Sequence, residues 1–282
     1  MRLSTIVNKT SVSIDLEGVS EETYKEVGIR LSKALQQPKV KNREAISDAF
    51  IYAVRQCPSA NASDLWHHVV YRQYCDIFNK HRPEDPKQSW VRASGDALEG
   101  FLQKWYTPVL KHERVRIQAL IGAVEKRQTL ETMGLSKTVG QGKLDVALYA
   151  ERNGKYELFG GVHVKASLAE RVSDDVPASR AMMERGYFSP LWTLDVKSFP
   201  PPHGDLVNRG ELGSPTNPSE KRKYIEEHGE FDDCFSANAR TQPSIEKTPS
   251  GKRIYTISLG EQPDDFAKCV IARVKTWRSG KR

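Results

Sequence analysis

An α/β or α+β fold is what this sequence predicts, with helices first and a mixed sheet after them. Three observations carry that expectation. Through the first 112 residues, apolar side chains recur at three- and four-residue spacing, as on one face of a helix. Beyond them the texture changes to short β-prone runs separated by turn signals. The 282 residues, 38% of them hydrophobic, suffice for one large domain or for a core with a helical subdomain.

The elements follow in order. After a short start, Ser20 caps a helix with Glu21 and Glu22 in its first turn, running to about Gln37, with Pro38 beyond its end. Asn42 to Cys57 is a second amphipathic stretch that stops before Pro58. Asn61 or Ser63 caps a third, and Ser94 begins a fourth. Then V-R-I-Q-A-L-I at 115–121, K-L-D-V-A-L-Y-A at 143–150 and K-Y-E-L-F-G-G-V-H-V-K at 155–165 read as strands. Asn153-Gly154 between the last two is a hairpin turn signal. L-W-T-L-D-V-K-S-F at 191–199 suits a further strand, and Pro200 to Pro218 a long loop. A short helix at 218–229, a late strand at K-R-I-Y-T-I-S-L and a closing helix complete the chain.

Composition narrows the function classes. Lys+Arg exceeds Asp+Glu by 43 to 36, a net charge of +7 that suits a polyanionic partner without requiring one. Cys57, Cys75, Cys234 and Cys269 include no C-x-x-C pair, so reduced thiols are expected rather than a zinc knuckle or a disulfide framework. The opening M-R-L-S-T-I-V-N-K-T lacks the apolar stretch of a secretory signal, and no apolar run is long enough to span a membrane. A cytoplasmic protein with no membrane contact is expected. No G-x-G-x-x-G, Walker loop, G-x-S-x-G or metal-spaced His/Cys set is present, which argues against a metabolic α/β enzyme.

Chemistry concentrates on the 143–165 hairpin. A tight Asn-Gly turn pairs 152 with 155 and so 145 with 162, which points Lys165 away from Asp145. One extra residue, from a three-residue loop or a bulge at Gly160-Gly161, sets 145 opposite 163 and brings Asp145, His163 and Lys165 to one face. A carboxylate and a lysine so placed can hydrolyse a phosphodiester, the first by holding Mg²⁺ and the second by stabilising phosphoryl charge. An ordinary ion pair is the commoner outcome of such spacing.

Longer stretches are more specific. S-G-D-A-L-E at 94–99 resembles the S-G-x-A-F-E segment of the CCGG family of type II restriction endonucleases, and Asp145 with His163-Val164-Lys165 sits where PD-(D/E)xK nucleases carry their motif. N-A-S-D-L-W-H-H-V-V-Y-R at 61–72, Q-S-W-V-R-A-S-G at 88–95, L-A-E-R-V-S-D-D-V-P-A-S-R at 168–180 and residues 193–213 extend the resemblance over most of the chain. It implies a restriction-endonuclease-like central mixed sheet flanked by helices. It also implies Mg²⁺-dependent double-strand cleavage at a palindrome with a CCGG core, A^CCGGT by the nearest resemblance. Asp145 and Glu99 become the metal ligands and Lys165 the catalytic lysine. Residues 1–112 become a mainly helical region contributing Glu99, and 113–282 the nuclease core, as two parts or one continuous domain.

Two departures stand out. The general motif has an acid two residues before the lysine, where this chain has His163. Some CCGG enzymes place an acid about fourteen residues after the lysine, where this chain has Ser179. Glu99 then suffices, or Asp174 or Asp175 reaches in. His163 either bonds a ligand or water or simply packs in its strand. These departures sustain the rival reading of a sequence-specific DNA-binding protein of the same fold that does not cut.

Ala169-Glu170-Arg171 lies where the family places its C·G-reading motif. Arginine can bond guanine O6 and N7, and a carboxylate can accept from cytosine N4. The outer A·T pairs fall to the 200–213 loop, with His203, Asn208 and Arg209 as candidates, or to polar residues near the hairpin. A palindrome implies a homodimer, at least on DNA.

Overall fold

The computed structural model describes residues 1–7, 10–81, 85–169, 172–197, 207–245 and 247–280. The short start is a hairpin of β1 (Arg2–Val7) and β2 (Thr10–Asp15). The Met1 ammonium ties it down, donating to the carbonyls of Leu16 at 2.9 Å and Val19 at 2.7 Å. Ser20 caps α1 (Glu21–Leu35) as expected, its Oγ accepting from the Thr23 N–H at 3.0 Å. Then come α2 (Asn42–Gln56) and α3 (Ala62–Asp64), the latter capped by Asn61. A π-helical stretch (Leu65–Tyr71) carries α3 into α4 (Arg72–His81).

Helix α5 (Pro86–Lys111) departs from the sequence expectation by starting eight residues before Ser94. Asp85 provides the cap, accepting from the Lys87 N–H at 2.8 Å, and Pro86 takes the first turn, where its missing N–H costs nothing. Glu99 therefore sits in the middle of a long helix, 6% exposed, rather than near a fraying end.

The sheet follows from β3 (Val115–Ala119), α6 (Ala123–Thr132), β4 (Val146–Arg152), β5 (Lys155–Lys165), α7 (Val172–Glu184) and β6 (Leu191–Thr193). After these come a small hairpin of β7 (Gly213–Ser214) and β8 (Asn217–Pro218), then α8 (Glu220–Glu226), β9 (Cys234–Ser236), β10 (Ile254–Thr256) and α9 (Asp265–Arg278). Strand order is β10-β9-β6-β5-β4-β3, with β3, β4 and β5 antiparallel and β5, β6, β9 and β10 parallel. This is the mixed sheet flanked by helices that the sequence predicts. One apolar core runs through both halves, from Leu31, Phe50 and Phe101 to Val146, Phe159 and Trp192. All four cysteines are free, and no helix among the described residues is long and apolar enough to cross a membrane.

The hairpin register decides the chemistry. Asn153 (φ 53°) and Gly154 (φ 77°) make the two-residue turn, and Arg152 pairs with Lys155. The register then shifts: Tyr149 pairs with Leu158, but Leu148 pairs with Gly160, leaving Phe159 as the extra residue. Val146 therefore faces Val162, and Asp145 lies level with His163. The glycine pair permits close approach rather than an unusual φ. A Cβ on Gly160 would stand 2.5 Å from the Phe188 carbonyl, and one on Gly161 2.3 Å from a Leu144 methyl.

Candidate active site

Asp145 enters β4 with its carboxylate turned toward the end of β5. Its Oδ2 accepts from the Val164 N–H at 2.8 Å and lies 3.1 Å from Lys165 Nζ. The bulge therefore brings the two sequence-predicted residues into contact. Lys165 Nζ also lies 2.6 Å from Asp175 Oδ2, on the first turn of α7. Of the two acids the sequence offered on this helix, Asp175 is the one that reaches Lys165. Asp174, its neighbour, turns away to Lys143 at 3.3 Å.

His163 and Ser179 stand behind this contact. Both are fully buried. His163 Nδ1 is 3.5 Å from Asp175 Oδ2, its Nε2 is 3.1 Å from Ser189 Oγ, and Ser189 Oγ is 2.8 Å from Ser179 Oγ. His163 is a packed strand histidine that props the acid. Ser179, one turn beyond Asp175, helps hold the serine that props the histidine.

Glu99 arrives from α5 on the other side of Asp145. Between the two carboxylates lies a group the sequence reading did not single out. Lys126 Nζ, from α6, is 3.6 Å from Glu99 Oε1 and 3.6 Å from Asp145 Oδ1. The other Glu99 oxygen, Oε2, is buried with no hydrogen-bond partner. Nothing local marks Lys126, since A-V-E-K-R-Q-T-L-E-T is polar on most sides. Tertiary packing brings it inward: Leu130 of α6 is buried in a cluster with Leu144 and Ala147 of the β4 region and with Ala178 and Met182 of α7.

Burial makes these charges consequential. It pushes the Glu99 carboxyl up to about 9, with Asp145 adding to the rise and Lys126 opposing it. Burial disfavours the Lys165 ammonium, but Asp145 and Asp175 outweigh it and hold the group above the usual lysine range. Asp175 is buried too, yet His163 and Lys165 keep its carboxyl below the usual carboxylate range. Lys165 therefore stays charged and is fitted to stabilise negative charge rather than to accept a proton.

Glu99 and Asp145 fit a hard divalent cation: each offers a carboxylate oxygen to the same ammonium, and the other oxygen of Glu99 is orphaned. No cluster of three or more His, Cys, Asp or Glu suited to a metal occurs among the described residues. Two carboxylates suffice for an ion such as Mg²⁺, which keeps several waters and takes substrate phosphate oxygens. The site floors a cavity of about 760 Å³ whose far wall is His67, Tyr71 and Trp90, two of them on the π-helical stretch.

The base-reading candidates fare differently. Glu170, Arg171 and His203 lie outside the described residues. Asn208 is 6% exposed and committed internally: its side-chain oxygen accepts from the N–H groups of Lys197 and Gly210, and its amide donates to Ser63. Its burial and these bonds commit the side chain to the fold around Ser63 and Lys197.

A mixed sheet with an acid and a lysine meeting across its central hairpin, and a helix-borne carboxylate beside them, is a restriction-endonuclease fold. The family model described as BsaWI restriction endonuclease type 2 matches residues 121–262. The type II restriction enzyme AgeI of Thalassovita gelatinovora is 49% identical over 265 residues, 92% of this chain and 94% of that enzyme. The crystal structure of the specific restriction endonuclease AgeI–DNA complex superposes with a TM-score of 0.90 at 47% identity, covering 97% of this chain and 99% of that one. The chain belongs to the type II restriction endonuclease family, and its members are nucleases.

Proposed function

We propose that this endonuclease makes Mg²⁺-dependent double-strand cuts in DNA at a palindrome with a CCGG core, A^CCGGT. The contact of Asp145 with Lys165, created by the Phe159 bulge, carries the reading. Similarity to AgeI, solved as a DNA complex, supports duplex DNA as the partner.

Glu99 and Asp145 hold the metal. When bound, a divalent cation polarises the scissile phosphate and lowers the pKa of its water. Lys165 presents a fixed ammonium to the charge that develops on the phosphoryl oxygens. Asp175 aims that ammonium, His163 props Asp175 directly, and Ser179 supports His163 through Ser189. Glu170 and Arg171 read the C·G pairs, and the +7 excess favours phosphate contacts. The apolar core shared by 1–112 and 113–282 supports reading them as one continuous unit. Two copies related by a twofold axis give each strand of the palindrome its own active site. The enzyme works in the cytoplasm of a prokaryotic cell.

The contact of Asp145 and Asp175 with Lys165 supports cutting over the non-cutting alternative, which keeps the His163 and Ser179 departures in its favour. Digestion of sequenced plasmid DNA with and without Mg²⁺, followed by sequencing of the ends, tests the reading. Uniform ends at A^CCGGT that appear only with the metal are expected. Specific binding without cutting would restore the alternative.

A further inference from the structure

Lys165 and Lys126 both touch Asp145, but they are held differently. Lys165 Nζ is within 2.6 Å and 3.1 Å of its two carboxylates. Lys126 Nζ stands 3.6 Å from each of its own, beyond hydrogen-bond length on both sides. Lys165 takes Asp145 Oδ2 and Lys126 faces Oδ1. That leaves Lys126 at the two oxygens, Glu99 Oε1 and Asp145 Oδ1, that the reading above gives to the metal. Its side chain is 15% exposed and lines the cavity into which the site opens.

We propose that Lys126 is the internal counter-ion of the metal-binding carboxylates. Its ammonium holds Glu99 and Asp145 together in the DNA-free protein, opposes metal there, and withdraws to a DNA phosphate when the substrate arrives. The inference rests on Glu99 and Asp145 being the metal ligands.

The physical argument is one of charge. Glu99 and Asp145 are brought to one ammonium, and without a cation between them two ionised carboxylates there would repel and lose solvation. An ammonium relieves both costs but repels a divalent ion that needs the same oxygens. A loose, unbonded contact is what such a role requires, because a tightly bonded lysine would not leave. A DNA phosphate in the cavity offers the ammonium a second anion. Metal and DNA binding are thereby coupled, which keeps the enzyme from carrying a loaded metal centre without its substrate. Lys126 is a positioning residue in this scheme, since it acts on the ligands rather than on the scissile bond.

Mn²⁺ binding to the DNA-free protein, followed by the electron paramagnetic resonance of the free ion, tests the proposal. Lys126→Met removes the charge and keeps most of the length, with Lys126→Gln as a second neutral variant. Thermal melting establishes that each is folded. Both are expected to bind Mn²⁺ about ten-fold or more tightly than wild type, because a like charge has been removed from the site. Lys126→Arg is expected to bind as weakly as wild type. Lys126 as a mere structural prop predicts the opposite, a loss of affinity on neutralisation. Unchanged or weaker binding in the neutral variants, with binding that Asp145→Asn abolishes, would overturn the proposal and leave the ligand assignment standing. Absence in all variants of any Mn²⁺ site sensitive to Asp145→Asn would remove the ligand assignment, and the proposal with it.

Discussion

Two buried polar clusters lie on opposite sides of the parallel strand β6, and they are built by opposite rules. Around Asp195 every group is satisfied. Asp195 Oδ1 accepts from the Glu211 N–H at 2.7 Å and Oδ2 from Thr241 Oγ1 at 2.7 Å. Asn238 donates to the Asp195 carbonyl and accepts from Asn61 and from the Arg240 N–H, while Arg240 pairs with Asp64 at 2.7 Å. Around Asp145, carboxylates crowd together, Glu99 keeps an orphaned oxygen, and one of two lysines is held without a hydrogen bond. Complete hydrogen bonding fixes the first cluster as a joint between the N-terminal helices and the loop after β6. Incomplete bonding leaves the second able to accept a cation and a phosphate. The difference separates polar residues that hold the fold from those proposed to act.

That comparison can be broken or sharpened by mutation. The largest effect is expected for Lys165→Ala, which should lower the cleavage rate by about 10³-fold in the manner of a lost oxyanion donor while site binding persists. A fall of less than ten-fold in single-turnover cleavage would remove Lys165 from the chemistry. Asp175→Ala should cost about 10²-fold, since it removes the group that aims Lys165, and Ser179→Ala only a few-fold. Equal losses in the two variants would mean that the acid is not what fills the missing position. On the other side of the contrast, Asn208→Ala should lower stability by about 1–3 kcal/mol through orphaned buried partners, with the cleavage rate of folded enzyme retained. Urea unfolding measures the first and single-turnover cleavage the second, and loss of site discrimination would return Asn208 to base reading.

The smallest effect concerns pH in the metal-free protein. The Glu99 carboxyl is raised in the folded state to about 9 from the ordinary carboxylate range. A raised pKa means that the folded state binds more protons than the unfolded one between those values. Its stabilising contribution is therefore whole at low pH and is lost as pH rises toward 9. Asp195 and Asp264, raised by burial to about 6, act in the same direction lower on the scale. Glu99→Gln should thus raise the melting temperature of the metal-free protein by a few degrees at pH 8 and change it little at pH 5. A pH-independent difference would mean that burial does not raise the Glu99 carboxyl in the folded state.

Much of this was legible in the sequence because local physics sets it. Ser20 and Asn61 cap their helices, the Asn153-Gly154 turn forms, and the glycine pair marks the bulge that brings Asp145 to Lys165. The helix before Ser94 was not legible, because Asp85-Pro86 reads as loop until the chain beyond it is known to be helical. The β1–β2 hairpin was hidden by its length. Asp175 was one of several acids in reach, and only the angle of α7 against β5 selects it over Asp174. Lys126 carried no signal at all, since its role comes from packing between elements remote in sequence.

The central claim is that the Asp145 cluster cuts DNA. Single-turnover cleavage of a duplex carrying ACCGGT, by wild type and by Asp145→Asn in Mg²⁺, tests it most directly. Metal-dependent cutting by wild type, none by Asp145→Asn, and site binding by both are expected. An Asp145→Asn variant that cuts at the wild-type rate would contradict it.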